Sequence, residues 1–254
     1  MTSPVFYVEP SELSKVEVGS FIALTGEEGH HARNVKRLSS GESVDIADGE
    51  GTRAVGVVES VLPEGLSIRV IEMAHESRSP RLYLVQALAK GDRDIMAIEM
   101  ATEVGVAGVI PWQADRSIVR WKGERAKKAH AKWQNVVSAA AKQSRRSLIP
   151  TVYDLHTSKQ LTQTIAEVTG ENAAVFILHE QGNQQLTSVL ADTNLSSTEE
   201  IYVVVGPEGG ISPEELDAFV QAGAQVTLLG QEVLRSSTAG LAALSAVNIA
   251  VKHW

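Results

Sequence analysis

The spacing of apolar residues changes character once along the chain. Up to about residue 75, apolar positions alternate or cluster in short β-branched runs, the pattern of half-buried strands. Glu42–Glu59 (ESVDIADGEGTRAVGVVE) reads as two such runs around Asp48-Gly49-Glu50-Gly51, a hairpin with a glycine turn. A further strand is predicted at Leu66–Ile71. Helical periodicity stands out only at Glu28–Leu38. The pattern predicts a small β-barrel or open β-sheet domain. His75–Pro80 (HESRSP) is polar and ends in proline, which marks a linker. The domains are therefore drawn at residues 1–75 and 80–254.

Beyond the linker the pattern becomes strand–helix alternation. Strands are predicted at Arg81–Ala89, Gly108–Trp112, Ile149–Tyr153, Ala174–His179, Ile201–Val205 and Gln225–Leu229. Helices are predicted at Asp92–Val104, Glu124–Gln143, about Ser158–Val168, Pro213–Ala222 and Thr238–Lys252. In Glu124–Gln143, Ala126, Ala129, Trp133, Val136 or Val137, and Ala140 recur at spacings of three and four. That helix buries its Trp133 face and turns lysine and arginine outward. Alternation of this kind implies an α/β domain with a mainly parallel sheet covered on both faces.

Composition narrows the chemistry. Apolar residues make up 43% and charged residues 21%, so a chain of 254 residues can bury a real core. The absence of cysteine excludes disulfides, thiolate nucleophiles and cysteine-based metal sites. No apolar run is long enough to span a bilayer, and the N-terminus lacks the basic-then-apolar order of a signal peptide. A soluble cytoplasmic protein is expected. The net charge is −8, yet Arg116–Arg146 holds ten Lys or Arg against Glu124 alone, a local +9. That run reads as a solvated helix face or as a contact for a polyanion.

Three stretches could carry chemistry. In Ile201–Leu216 (IYVVVGPEGGISPEEL) a buried strand ends in Gly206-Pro207-Glu208-Gly209-Gly210. A helix start follows, with Ser212 as N-cap, Pro213 at the first helical position and Glu215 three after the cap. The glycines would let a ligand approach the backbone, at the strand end where open α/β sheets bind ligands. A tight turn without a ligand has the same signature. The loop is neither a Walker loop nor a G-x-G-x-x-G dinucleotide turn. In Leu228–Gly240 (LLGQEVLRSSTAG), Ser236, Ser237 and Thr238 offer cap hydroxyls. Arg235 is a lone cation whose plain role would be an ion pair with a helix end or with Glu208. Leu178-His179-Glu180 ends another strand; a single His–Glu pair could serve metal or acid–base chemistry, but more often simply meets solvent. His30-His31 has no third metal ligand at suitable spacing, and no G-x-S-x-G or H-E-x-x-H occurs.

Together these stretches resemble the bacterial 16S ribosomal RNA (uracil-N3)-methyltransferases of the SPOUT class. The resemblance runs almost end to end, through His30–Gly51, Leu88–Val106, Ala140–Pro150, Val203–Leu216 and Leu229–Leu244. It implies a PUA-like RNA-binding β-barrel domain and a C-terminal α/β domain with a trefoil knot. It implies a homodimer, S-adenosyl-L-methionine as cofactor, and 16S rRNA, in the small ribosomal subunit, as partner. No metal and no membrane are implied. Cofactor contacts then fall on Leu178, His179, Glu180, Gly206, Pro207, Glu208, Gly209, Gly210, Leu229, Gly230, Leu234, Ser236, Thr238 and Ala239. RNA contacts are expected at His31, Arg33, Lys36, Arg37, Lys90, Arg93, Arg116, Arg145 and Arg146. The sequence departs from the family's pattern at Val5, Met100 and Ser237, which weakens any role carried over from the side chains lost there.

Methylating N3 of uracil requires loss of the imide proton, which spreads negative charge onto O2 and O4. Donors should stand at those oxygens. Arg235 is the first candidate, with Arg116 or Arg145 next. Glu208 would orient an amide or face the cationic sulfonium, or else stabilise the following helix. Two other classes fit parts of the pattern: a non-catalytic RNA-binding assembly factor, and a small-molecule α/β enzyme using a nucleotide.

Overall fold

The structure, a computed structural model, describes residues 3–193 and 195–254. Contacts divide the chain into two units. One holds Met1–Ser77 together with Ala141–Ile149; the other holds Arg78–Ala140 and Pro150–Trp254.

The first unit contains β1 (Val5–Tyr7), α1 (Pro10–Leu13), β2 (Phe21–Leu24), α2 (Gly26–His30), β3 (Ser43–Ala47), β4 (Thr52–Leu62) and β5 (Gly65–His75). Its strands are ordered β1-β3-β4-β5-β2, antiparallel except for the parallel β1–β3 pair. Inward positions supply Phe6, Leu24, Val44, Ile46, Leu66 and Ile68 to one core. The hairpin expected around Asp48 forms. Its carboxylate accepts the N–H groups of Glu50 at 2.8 Å and Thr52 at 2.9 Å, which fixes the turn. The helix expected over Glu28–Leu38 begins as α2 and continues as a π-helical turn, His31–Val35, ending before Arg37 in the left-handed region at φ 56°.

Ala141–Ile149 belongs to this unit, which a boundary drawn along the sequence misses. Glu76 is the anchor. Its Oε1 accepts from the Arg146 guanidinium at 3.2 Å, and its Oε2 accepts the N–H groups of Ser147 at 3.1 Å and Leu148 at 3.2 Å. The Tyr7 hydroxyl donates to the Arg146 carbonyl at 2.7 Å. The Ile149 N–H goes to Gly49, at 2.8 Å. The strand expected at Ile149–Tyr153 is therefore reduced to Thr151–Val152, because Ile149 is already bonded elsewhere.

The second unit contains β6 (Arg81–Ala87), α3 (Arg93–Glu103), β7 (Gly108–Gln113), α4 (Gly123–Gln143, through Ala140), β8 (Thr151–Val152), β9 (His156–Thr157), α5 (Ser158–Thr169), β10 (Ala173–Leu178), α6 (Leu186–Asp192), β11 (Glu200–Val205), α7 (Pro213–Gln221), β12 (Gln225–Thr227) and α8 (Ser236–Ala250). Its strands pair in parallel in the order β12-β10-β11-β6-β7-β8, with β9 beside β7. Helix α5 packs on β10 and on α7, while α8 packs on β11 and on α3, which buries the apolar centres of β10 and β11. Among the described residues, no helix is long and apolar enough to cross a membrane.

Candidate active site

Strands β10, β11 and β12 lie side by side, so their carboxyl ends bring the loops that follow them together. Backbone bonds fix the outer pair. The His179 N–H donates to Thr227 at 3.0 Å, and the Leu186 and Leu228 N–H groups donate to Leu228 and Gln184 at 2.7 and 2.8 Å. The three loops enclose a cleft of about 660 Å³, lined by Leu178–Gln181, Val205–Ile211 and Leu228–Ser236, with Arg93, Arg116, Pro213, Leu216 and Ala239.

The central loop is set by local chemistry. Ser212 caps α7: its hydroxyl accepts the Glu215 N–H at 3.2 Å, and the Glu215 carboxylate accepts the Ser212 N–H at 2.9 Å. Pro213 occupies the first helical position. Gly210 has φ +73°, a conformation that favours glycine. A Cβ on Gly209 would stand 3.1 Å from the Cβ and the carbonyl oxygen of Arg116. The Arg116 guanidinium also donates to the Gly209 carbonyl, at 3.3 Å. Glu208 turns the other way. It accepts the Lys90 N–H at 3.1 Å and the Arg93 guanidinium at 2.9 Å. Burial pushes its carboxyl up, but its own and the Lys90 backbone N–H groups, with the Arg93 charge, outweigh that and hold it below the usual range.

The third loop ends at Arg235, the N-cap of α8, whose extended backbone lets its carbonyl accept the N–H groups of Thr238 at 2.9 Å and Ala239 at 3.0 Å. The helix thus starts two residues before the expected Thr238. Arg235 is exposed and lines the cleft. Glu208, one of the two ion-pair partners its plain role would use, is bound to Arg93.

A family model described as an RNA methyltransferase domain matches residues 76–248, and one described as an RNA methyltransferase PUA domain matches residues 24–71. The ribosomal RNA small subunit methyltransferase E of Mycobacterium tuberculosis is 38% identical over 100% of this chain and 94% of its own length. The chain belongs to the ribosomal RNA small subunit methyltransferase E family. The Bacillus subtilis member is 33% identical, over 93% of this chain and 94% of its own. Among solved structures, the Neisseria gonorrhoeae member bound to S-adenosyl methionine covers 98% of each chain at a TM-score of 0.79 and 26% identity.

Most residues expected in this family member's site come together. Arg235, Glu208 and Arg116 all line the cleft, as do the expected cofactor contacts except Thr238, whose hydroxyl turns back to the Arg235 carbonyl at 3.2 Å. The expected RNA contacts are more scattered. Arg93 lines the cleft, bound to Glu208, and Lys90 is exposed near it. In the PUA unit, Lys36, Arg37 and Arg145 are exposed. His31 is half-buried edge-on to Phe6, and the Arg33 guanidinium donates to the Pro63 carbonyl. Arg146 differs from expectation. It is 5% exposed, with its guanidinium on Glu76, so it holds the unit together and does not face outward. Two polar residues next to the cleft were missed. Gln86 is fully buried in β6 and donates to the Ser236 hydroxyl at 2.9 Å; a lone amide inside YLVQALA was its signal. The capping pattern of Ser212 and Glu215 accounts for one of the carboxylate's oxygens and not for the Asp115 N–H on the other. Among the described residues, no group of three or more His, Asp or Glu could hold a metal.

Proposed function

We propose that this chain transfers a methyl group from S-adenosylmethionine to N3 of a specific uridine in 16S ribosomal RNA, with the assembled small subunit as substrate. The observation that carries the reading is the convergence of the strand-end loops on one cleft in a member of this family. The lining suits such a cofactor: Leu178, Ile211, Leu228, Leu229 and Leu234 offer apolar surface to a nucleobase, and Glu180 and Glu232 offer charge to a sulfonium. Bound there, S-adenosylmethionine supplies an electrophilic methyl group. The same reading gives the chain a trefoil knot at this cleft, a homodimeric state and a cytoplasmic location.

The chain's own residues have two tasks. The first is to hold uracil with N3 aligned, a contribution of geometry. The second is to answer the negative charge that reaches O2 and O4 once the imide proton leaves. Arg235 and Arg116 are the cations for this, because both line the cleft and neither has a carboxylate partner among the described residues. Glu208 takes a supporting part: bound to Lys90 and Arg93, it fixes the start of α3 beside the glycine turn. RNA is held by exposed basic residues, with Lys36, Arg37 and Arg145 on the PUA unit. The test is methyl transfer from labelled cofactor to naked 16S rRNA and to assembled small subunits, followed by nucleoside mass mapping. The expected product is 3-methyluridine at one position, formed faster on subunits. RNA binding without methyl transfer would instead mark a non-catalytic assembly factor.

A further inference from the structure

One carboxylate beside the cleft is held by more than its place in the sequence requires. Glu215 is the N3 residue of α7 and closes the capping box with Ser212. A capping box needs only one carboxylate oxygen, turned back to the N-cap N–H. Yet Glu215 is 3% exposed. Its Oε2 accepts the Ser212 N–H at 2.9 Å and the Ser212 hydroxyl at 3.0 Å. Its Oε1 serves two other elements, accepting the Asp115 backbone N–H at 2.7 Å and the Ser158 hydroxyl at the start of α5. Ser158 is itself anchored by the buried Trp112, whose indole N–H donates to it at 3.2 Å. Four donors fill about the full set of lone-pair sites on an ionised carboxylate, which is the condition for burying one.

The Asp115 bond matters because the next residue is Arg116. Arg116 packs its Cβ and carbonyl on Gly209 and donates to the Gly209 carbonyl. Glu215 therefore fastens both partners of that contact. Through Ser212 it fixes the end of the glycine turn, and through Asp115 the start of the Arg116 loop. We propose that Glu215 is a positioning residue for methyl transfer, holding Arg116 over the Gly209 turn. The proposal rests on the role given to Arg116 above. Glu215 itself, buried beneath the loop, touches no substrate.

Glu215→Gln keeps the volume but leaves one acceptor oxygen where two were used, so the Ser212 and Asp115 arms can no longer both be satisfied. Ser212→Ala is the control, since it removes the capping hydroxyl and leaves the Asp115 arm. In hydrogen exchange, Glu215→Gln should speed the amides of residues 114–120 by about tenfold or more, while Ser212→Ala leaves them unchanged. In single-turnover methyl transfer at saturating cofactor, Glu215→Gln should slow the reaction by up to about 100-fold. In an Arg116→Ala background the same change should cost little, because its effect runs through Arg116. Unchanged exchange in a folded Glu215→Gln protein would overturn the proposal whatever the enzyme does. Losses that multiply with Arg116→Ala would also overturn it, by separating Glu215 from Arg116. A wild-type protein that transfers no methyl group would instead strike the functional reading, and the exchange result would still decide the loop.

Discussion

Adding carbon at Gly209 tests how closely the Arg116 loop packs on the glycine turn. With Arg116 atoms already 3.1 Å from an added Cβ, Gly209→Val must push that loop away. The expected stability loss is about 1–3 kcal/mol, typical of overpacking. Calorimetry should find S-adenosylmethionine binding abolished, and unchanged affinity in the folded variant would defeat the placement. Arg235→Lys probes the other side of the cleft. Lysine keeps the charge but loses the planar fork of donors. The single-turnover rate should fall by about 100-fold, the scale for losing an oxyanion donor, with a smaller change in cofactor affinity. An equal loss in affinity, with full rate at saturation, would make Arg235 a binding residue. Tyr7 gives a pH signature. Burial pushes its hydroxyl up from 10.0 to about 12. A group raised on folding stabilises the protein fully below its unfolded value and loses that effect as pH rises through the folded one. The stability Tyr7 adds should therefore fade between about pH 10 and pH 12. Chemical unfolding across that range should show a shallower decline for Tyr7→Phe, and identical slopes would exclude the linkage.

Elements whose signals are local could be read directly from the sequence. The Ser212-Pro213-Glu215 helix start and the Asp48 hairpin each depend on residues within four positions, and both form as expected. Helix α8 starts two residues before the Thr238 that the sequence suggests, because Ser236 and Ser237 resemble caps while the extended backbone falls on Arg235. Helix α6, only seven residues long, shows no clear period in the sequence. The partners of Glu215 were beyond reach, since Asp115 lies 100 positions away. The turn after α2 carries a prediction of its own. Arg33 is engaged with Pro63, so reversing it would also break that contact. Lys36 and Arg37 are exposed and make the cleaner pair. Arg37 sits at φ 56°, which asparagine tolerates better than glutamate. Lys36→Glu with Arg37→Asn should weaken rRNA binding and reduce its salt slope by about 1 per lost phosphate contact. Cofactor binding should be unaffected, and an unchanged salt slope would remove this turn from the RNA-facing surface.

At the scale of the whole molecule, α8 bears on assembly. Leu244 and Val247 are fully buried within their own unit, but Ile249 is 65% exposed at the helix end. A two-fold contact between copies would cover it, and light scattering at micromolar concentration should show a dimer. A purely monomeric profile would rule out a stable one. The N-terminal unit has a different consequence. It is completed by Ala141–Ile149, which supplies the buried Arg146 for Glu76 and the backbone partner for Gly49. A chain emerging from the ribosome must therefore keep this unit unfinished while another 72 residues, from Arg78 to Ile149, are translated. At bacterial elongation speeds that wait is about 4–14 s. Throughout it the Glu76 carboxylate lacks the Arg146 guanidinium that it meets in the finished unit, and chaperones on nascent chains have a defined window in which to act.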